Sequence, residues 1–261
     1  LNNGDGTFAP QQTYAAGDSP ESVTAADLDG DGDIDLATAN VFSDDVSVLL
    51  NNGDGTFATP ESYAAGNFPV SVTAADLDGD GDTDLATANF DSDDVSVLLN
   101  NGDGSFAPQQ TYDAGIESRS VTAADLDADG DIDLATANGG FGANDVSVLL
   151  NNGDGTFAPQ QTYPAGTGPG SVTAADLDGD GDIDLATANV FSDDMSVLLN
   201  NGDGTFATPE SYAAGNFPVS VTAADLDGDG DTDLATANFD SDDVSVLLNN
   251  GDGSFAPQQT Y

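Results

Sequence analysis

A period of about 50 residues, four short strand signals within each period, and no helical spacing together predict an all-β chain of tandem four-stranded, propeller-type blades. The segment LNNGDGTFAPQQTY opens the chain at 1–14 and returns, with small changes, at Leu50, Leu99, Leu150, Leu199 and Leu248. These starts divide the 261 residues into one array of five units, 1–49, 50–98, 99–149, 150–198 and 199–247, followed by the first 14 residues of a sixth, 248–261. A longer period lies on top. Residues 47–112 are identical to residues 196–261, and at the same offset of 149 only five of 112 positions differ: Ala15/Pro164, Asp18/Thr167, Ser19/Gly168, Glu21/Gly170 and Val46/Met195. The chain is thus a copied three-unit cassette, and we expect the array to continue beyond both ends.

Within a unit the elements follow in order. Ser22–Leu28 (SVTAADL) is the first predicted strand, and its small Thr24-Ala25-Ala26 run suits a crowded ring around a central axis. An acidic loop leads to a second strand, Leu36–Asn40. The third, Asp45–Asn51, places Val46, Val48 and Leu50 on one face. Asn52-Gly53-Asp54-Gly55 is a turn with glycines available for positive φ. Thr56–Tyr63 is the fourth strand, anchored by Phe57 and Tyr63, and Pro60 assigns it to an outer edge. A closed propeller is the first expectation and an open superhelical array the alternative. Five units leave 1–14 and 248–261 contesting one strand position, and a three-unit cassette fits six or nine units better. The surplus strand predicts self-association through an unpaired edge.

Composition removes whole classes of function. There are 48 Asp plus Glu against a single basic residue, Arg119, with no His or Cys, for a net charge of −47. Nucleic acid and anionic membrane surfaces need Lys/Arg clusters, so neither is an expected partner. Disulfides, imidazole bases and zinc sites built on Cys or His are impossible. No apolar run reaches the ~18 residues of a membrane span, so membrane insertion is not expected. A Ser-His-Asp arrangement cannot be built. Paired carboxylates could serve glycoside cleavage, but identical copies in every unit suit a scaffold, and the chain is predicted not to be an enzyme.

The acids are concentrated in one nine-residue loop, DLDGDGDID. Its five copies contribute Asp27, Asp29, Asp31, Asp33 and Asp35; Asp76, Asp78, Asp80, Asp82 and Asp84; Asp125, Asp127, Asp129, Asp131 and Asp133; Asp176, Asp178, Asp180, Asp182 and Asp184; and Asp225, Asp227, Asp229, Asp231 and Asp233. Carboxylates facing one point repel by ~1 kcal/mol per pair in water and ~3–4 at an effective dielectric of 20. A hard divalent cation reverses that sign. Oxygen-only ligands select Ca²⁺ or Mg²⁺, and a flexible acidic ring favours Ca²⁺, about one per repeat and five in this chain. The expected ligands are the side chains of loop positions 1, 3, 5 and 9 and the main-chain carbonyl of position 7. Glycine at position 6 (Gly32, Gly81, Gly130, Gly181, Gly230) supplies the sharp turn. An EF-hand would need helical flanks and Glu at position 12, where Thr38 stands. A nonapeptide roll has the wrong period. Adaptation to salt would spread acids over the surface and explains only those outside the loops.

VTAADLDGDGDIDLATAN (23–40) and VSVLLNNGDGTF (46–57) resemble the FG-GAP/VCBS repeat, the blade of integrin α-subunit propellers and of many secreted bacterial proteins, and the likeness covers essentially the whole chain. The resemblance implies that the loop joining the first two strands of each blade binds Ca²⁺ through the aspartates just named. Departures are Ala128 at position 4 of the third loop and two extra residues around Gly139–Asn144. Seven blades are usual in the family, against five units here.

Among the remaining features, NNGDG is expected to be a hairpin turn, and Ser43-Asp44-Asp45 and Asp91–Asp94 solvated connections. Phe42, Phe68, Phe90, Phe141, Phe191, Phe217 and Phe239 lie in the most variable segments, as hydrophobic caps or partner contacts. Arg119 is expected to make a local charge pair. No convergence of aromatic or polar residues is legible in these loops. The sequence therefore predicts a non-enzymatic, extracellular or cell-surface calcium-binding repeat protein with a structural, adhesive or filament-forming role. A recognition module for a glycan or protein ligand is the alternative.

Overall fold

In a computed structural model, which describes residues 4–140 and 142–261, the repeats form five four-stranded antiparallel sheets in tandem, with no helix among the described residues. In the first sheet β1 (Pro20–Ala26), β2 (Asp35–Asn40), β3 (Asp45–Leu49) and β4 (Glu61–Ala64) pair in chain order. The register is fixed by Ala26 opposite Asp35, Leu36 opposite Leu49 and Val46 opposite Tyr63. The pattern recurs in four further sheets that open at Pro69, Ser118, Pro169 and Pro218. Each blade takes its fourth strand from the opening segment of the next sequence repeat, so the blade frame is displaced from the frame in which the repeat first catches the eye.

Several predicted strand limits shift, by one to five residues. The first strand ends at Ala26 rather than Leu28, because the Leu28 N–H donates to the Asp35 carboxylate (2.8 Å) instead of to a strand. The third ends at Leu49. The fourth shrinks to Glu61–Ala64 because Pro60 cannot donate to the ladder, and Phe57 keeps only an isolated bridge to Asn51.

The core lies between blades. Leu28, Val46 and Val48 of the first blade bury against Val72, Leu85, Leu98 and Phe106 of the second, and equivalent residues repeat this at the next three junctions. Each fully buried Leu or Val stabilises by about 1.5–3 kcal/mol, so the junctions carry much of the stability. A tyrosine of one blade also meets a phenylalanine of the next edge to face: Tyr63–Phe106, Tyr112–Phe157 and Tyr163–Phe206 at 5.2 Å, and Tyr212–Phe255 at 5.3 Å. First strands of consecutive blades adjoin, as their small side chains allow.

The array does not close. Val72, Val121 and Val172 are 6–7% exposed, whereas their counterpart Val23 is 61% exposed; Leu28, Leu77, Leu126 and Leu177 are 1–2% exposed and Leu226 is 47% exposed. The open alternative therefore holds for these five blades. Near-identical junctions fix the turn from blade to blade, and that turn does not bring the fifth blade onto the first. The expected contest between the two end segments is absent for the same reason. Residues 259–260 complete the fifth sheet, while Tyr14 packs on Phe57 (5.2 Å), the place a preceding blade's tyrosine would take.

Candidate metal centre

The acidic loop joins the first two strands of every blade, and in the first it is closed by Ala26 and its own last residue, Asp35, which face each other in the ladder. Backbone N–H groups set the carboxylates. Asp27 accepts from Gly30 N (2.9 Å) and Gly32 N (3.0 Å), Asp29 from Asp31 N (3.2 Å) and Asp31 from Asp33 N (2.8 Å). Asp35 is fully buried and accepts from Leu28 N (2.8 Å) and Asn51 N (2.7 Å). Gly30 and Gly32 hold φ of +73° and +90°, the left-handed backbone that curls the loop inward.

Positions 1, 3 and 9 thereby converge. Carboxylate oxygens of Asp27, Asp29 and Asp35 lie within 4.8 Å of one another, as do those of Asp76, Asp78 and Asp84, of Asp125, Asp127 and Asp133, and of Asp176, Asp178 and Asp184. The fifth loop differs and gathers Asp225, Asp227 and Asp229, all exposed, without Asp233. Position 5 of the first four loops (Asp31, Asp80, Asp129, Asp180) stands outside these clusters. The side chain of position 7 approaches the blade's own NNGDG turn. A Cβ on Gly53, Gly102, Gly153, Gly202 or Gly251 would lie 2.5–2.8 Å from a carboxylate oxygen of Asp33, Asp82, Asp131, Asp182 or Asp231.

The residues fit a cation. Position 4 of the third loop is Ala128, held at φ +62°, and the Asp125 oxygen matching the one that Gly30 serves in the first loop is buried with no hydrogen-bond partner. Electrostatics agree. Burial, opposed by N–H bonds from Asn100 and Leu77 and reinforced by the Asp78 and Asp80 charges, pushes Asp84 up to about 6; Asp133 and Asp184 rise to about 6 for the equivalent reasons. Burial likewise raises Asp29, Asp78, Asp127, Asp178 and Asp227, with neighbouring carboxylates adding to it. The sole basic side chain of the chain is engaged elsewhere, so these charges meet no protein cation.

NNGDG forms the expected turn, and its aspartate is satisfied locally: Asp54 accepts from the Thr56 N–H (3.0 Å) and hydroxyl (2.6 Å). The first asparagine of the motif does more. Asn100 of the second blade donates through Nδ2 to the Leu28 carbonyl in the first blade's acidic loop (2.8 Å) and to Thr83 O in its own (2.8 Å). Period and turn chemistry could not reveal this, because the two residues lie 72 positions apart.

The variable loops do converge, contrary to the expectation from sequence. Phe42, Phe68, Phe90, Phe191 and Phe217 line an axial cleft of about 760 Å³ at the opposite ends of the first strands, together with Glu21 and Arg119. Phe68 meets Phe42 and Phe90, each at 5.7 Å between centroids, and Phe217 meets Phe191 and Phe239, each at 5.9 Å. Arg119 makes the expected local pair with Glu117 (3.2 Å) and also lies over the Phe90 ring (4.7 Å). Two of the five cassette differences, Ser19/Gly168 and Glu21/Gly170, fall on this lining. Phe141 lies outside the described residues.

The profile of the FG-GAP-like repeat matches residues 1–38, 35–87, 76–136, 125–187, 176–236 and 225–261, tiling the whole chain. No curated protein sequence matches. Among solved structures, a lectin of Agrocybe aegerita that recognises non-reducing terminal N-acetylglucosamine is 26% identical, with a TM-score of 0.65 over 100% of this chain and 73% of the lectin. The Vibrio cholerae biofilm matrix protein Bap1 is 20% identical, with a TM-score of 0.52 over 95% of this chain and 40% of that protein. A putative 6-phosphogluconolactonase from Bacteroides uniformis is 18% identical, with a TM-score of 0.67 over 91% and 69% of the two chains. The last two likenesses show the fold alone.

Proposed function

The chain belongs to the FG-GAP-like repeat family, and from that premise we propose that it is a non-enzymatic, extracellular scaffold whose blades are locked by calcium. The observation that carries this reading is the three-carboxylate cluster at one register of each blade, without a basic partner. Asp27, Asp29 and Asp35 and their counterparts would hold the ion, and the expected position-5 carboxylate and position-7 carbonyl would complete its shell. Bound Ca²⁺ supplies charge neutralisation and cross-links the ends of the first two strands. Five ions reduce the charge from −47 to −37, enough to keep the protein soluble and to repel like surfaces. The exterior of the cell offers calcium at the millimolar level that weak modules require.

A structural or adhesive role follows from near-identical, stackable units, which also support self-association. Chelex-treated protein, dialysed against 1 mM CaCl₂ and analysed for bound metal, tests the calcium assignment; fewer than one ion per chain overturns it. Electron microscopy with light scattering tests assembly, and particles that remain monomeric at every concentration count against it. Recognition of a glycan is the second reading, favoured by the similarity to the N-acetylglucosamine lectin along the full length of this chain. A glycan array with terminal N-acetylglucosamine ligands separates the two.

A further inference from the structure

Each acidic loop but the last is held from outside its own blade. Asn100 reaches Leu28 O (2.8 Å), Asn151 reaches Leu77 O (2.7 Å), Asn200 reaches Leu126 O (2.7 Å) and Asn249 reaches Leu177 O (2.6 Å). The accepting leucine is loop position 2, lying between the carboxylates of positions 1 and 3. The same asparagines fix their own loops, since the Asn100 N–H donates to Asp84 at 2.7 Å and its Nδ2 to Thr83 O. One residue therefore ties position 9 of its own loop to position 2 of the loop before it.

The turn that carries the asparagine also roofs that preceding loop. A Cβ on Gly104 would lie 3.2 Å from Asp29 Cβ and 2.9 Å from Leu50 Cδ2, and Gly155, Gly204 and Gly253 stand in the same relation to Asp78, Asp127 and Asp178. Nothing among the described residues does this for the fifth loop. There Leu226 is 47% exposed, and the carboxylates that gather are those of positions 1, 3 and 5, all exposed, instead of 1, 3 and 9. In the first blade the Asn51 Nδ2 donates to Ile34 O of its own loop (2.9 Å).

We propose that the calcium sites of the first four loops are completed across a blade junction, with the asparagine of the following blade as positioning residue for the loop before it. This rests on the calcium reading above. Ion binding is then coupled to blade stacking, because an asparagine can hold the loop only while the two blades are docked. Outer-shell groups of this kind alter metal affinity by roughly 10- to 100-fold.

Calcium titration by isothermal calorimetry, with native mass spectrometry to count ions, tests this on the wild-type chain and two variants. Asn151→Ala should weaken one site by tenfold or more relative to wild type. Asn152→Ala, its neighbour in the same turn, loses a bond to the Thr156 hydroxyl (3.0 Å) that touches no acidic loop and should leave every site at its wild-type affinity, so it controls for a merely structural effect. No weakened site in Asn151→Ala, or equal losses in the two variants, overturns the proposal and leaves calcium binding intact. Absence of calcium binding overturns both.

Discussion

Removing calcium at different pH values probes the site most directly. Three carboxylate oxygens within 4.8 Å of one another form three like-charge pairs per loop. At about 1 kcal/mol per pair in water and ~3.5 at an effective dielectric of 20, the ion-free loop carries ~3–10 kcal/mol of repulsion. That rivals the ~5–15 kcal/mol of a whole domain, so chelation at neutral pH should lower the melting temperature steeply. Protons can replace the ion in part. Asp84, Asp133 and Asp184 sit near 6 in the folded, ion-free state, above the ordinary aspartate value of 3.8. A carboxyl raised by folding contributes stability that is fully present below its unfolded pKa and is lost as pH rises through its folded one. For these three the window runs from about pH 4 to 6, and each rise from 3.8 to about 6 corresponds to ~3 kcal/mol. One such group alone moves the melting point by about 6–12 °C if unfolding is cooperative.

Chelated protein should therefore melt higher at pH 4.5 than at pH 7.5. The increment gained on adding calcium should grow over the same interval, as protons cease to compete. Circular dichroism melts in 1 mM EGTA or 1 mM CaCl₂, between pH 4 and 8, measure both. An EGTA melting point that is flat or rises through pH 6, with no response to calcium, would refute the electrostatic account.

Other perturbations separate its parts. Leu126→Ala, at a buried junction, should cost about 2–5 kcal/mol in urea unfolding. Leu226→Ala, half-exposed at the open end, should cost under about 1 kcal/mol, and equal costs would show the array closed in solution. Gly155→Ala places a methyl 2.9 Å from Leu99 Cδ2 on a left-handed backbone (φ +72°) and should destabilise by about 1–3 kcal/mol in the same assay. Ala128→Gly relieves a left-handed alanine and should stabilise by roughly 1 kcal/mol, read as a higher denaturation midpoint. Arg119→Ala loses a half-exposed ion pair and a ring contact, and its expected cost is below about 1 kcal/mol.

Local chemistry was legible in the residues themselves. Period, strand signals, Pro60 at the outer edge, and five copies of an Asp/Gly loop reveal blades and a gathering of carboxylates in each, because turns and carboxylate spacing are written within a few consecutive positions. Tertiary structure decided what depends on residues far apart in the chain. It placed position 9, rather than position 5, with positions 1 and 3 in four loops. It brought the loop phenylalanines into one axial cleft and left the fifth blade clear of the first. It also linked Asn100 to Leu28 across a junction. Each of these follows from the turn between stacked blades, a sum of small packing angles that no single repeat encodes, so identical loops acquire different surroundings according to whether another blade follows.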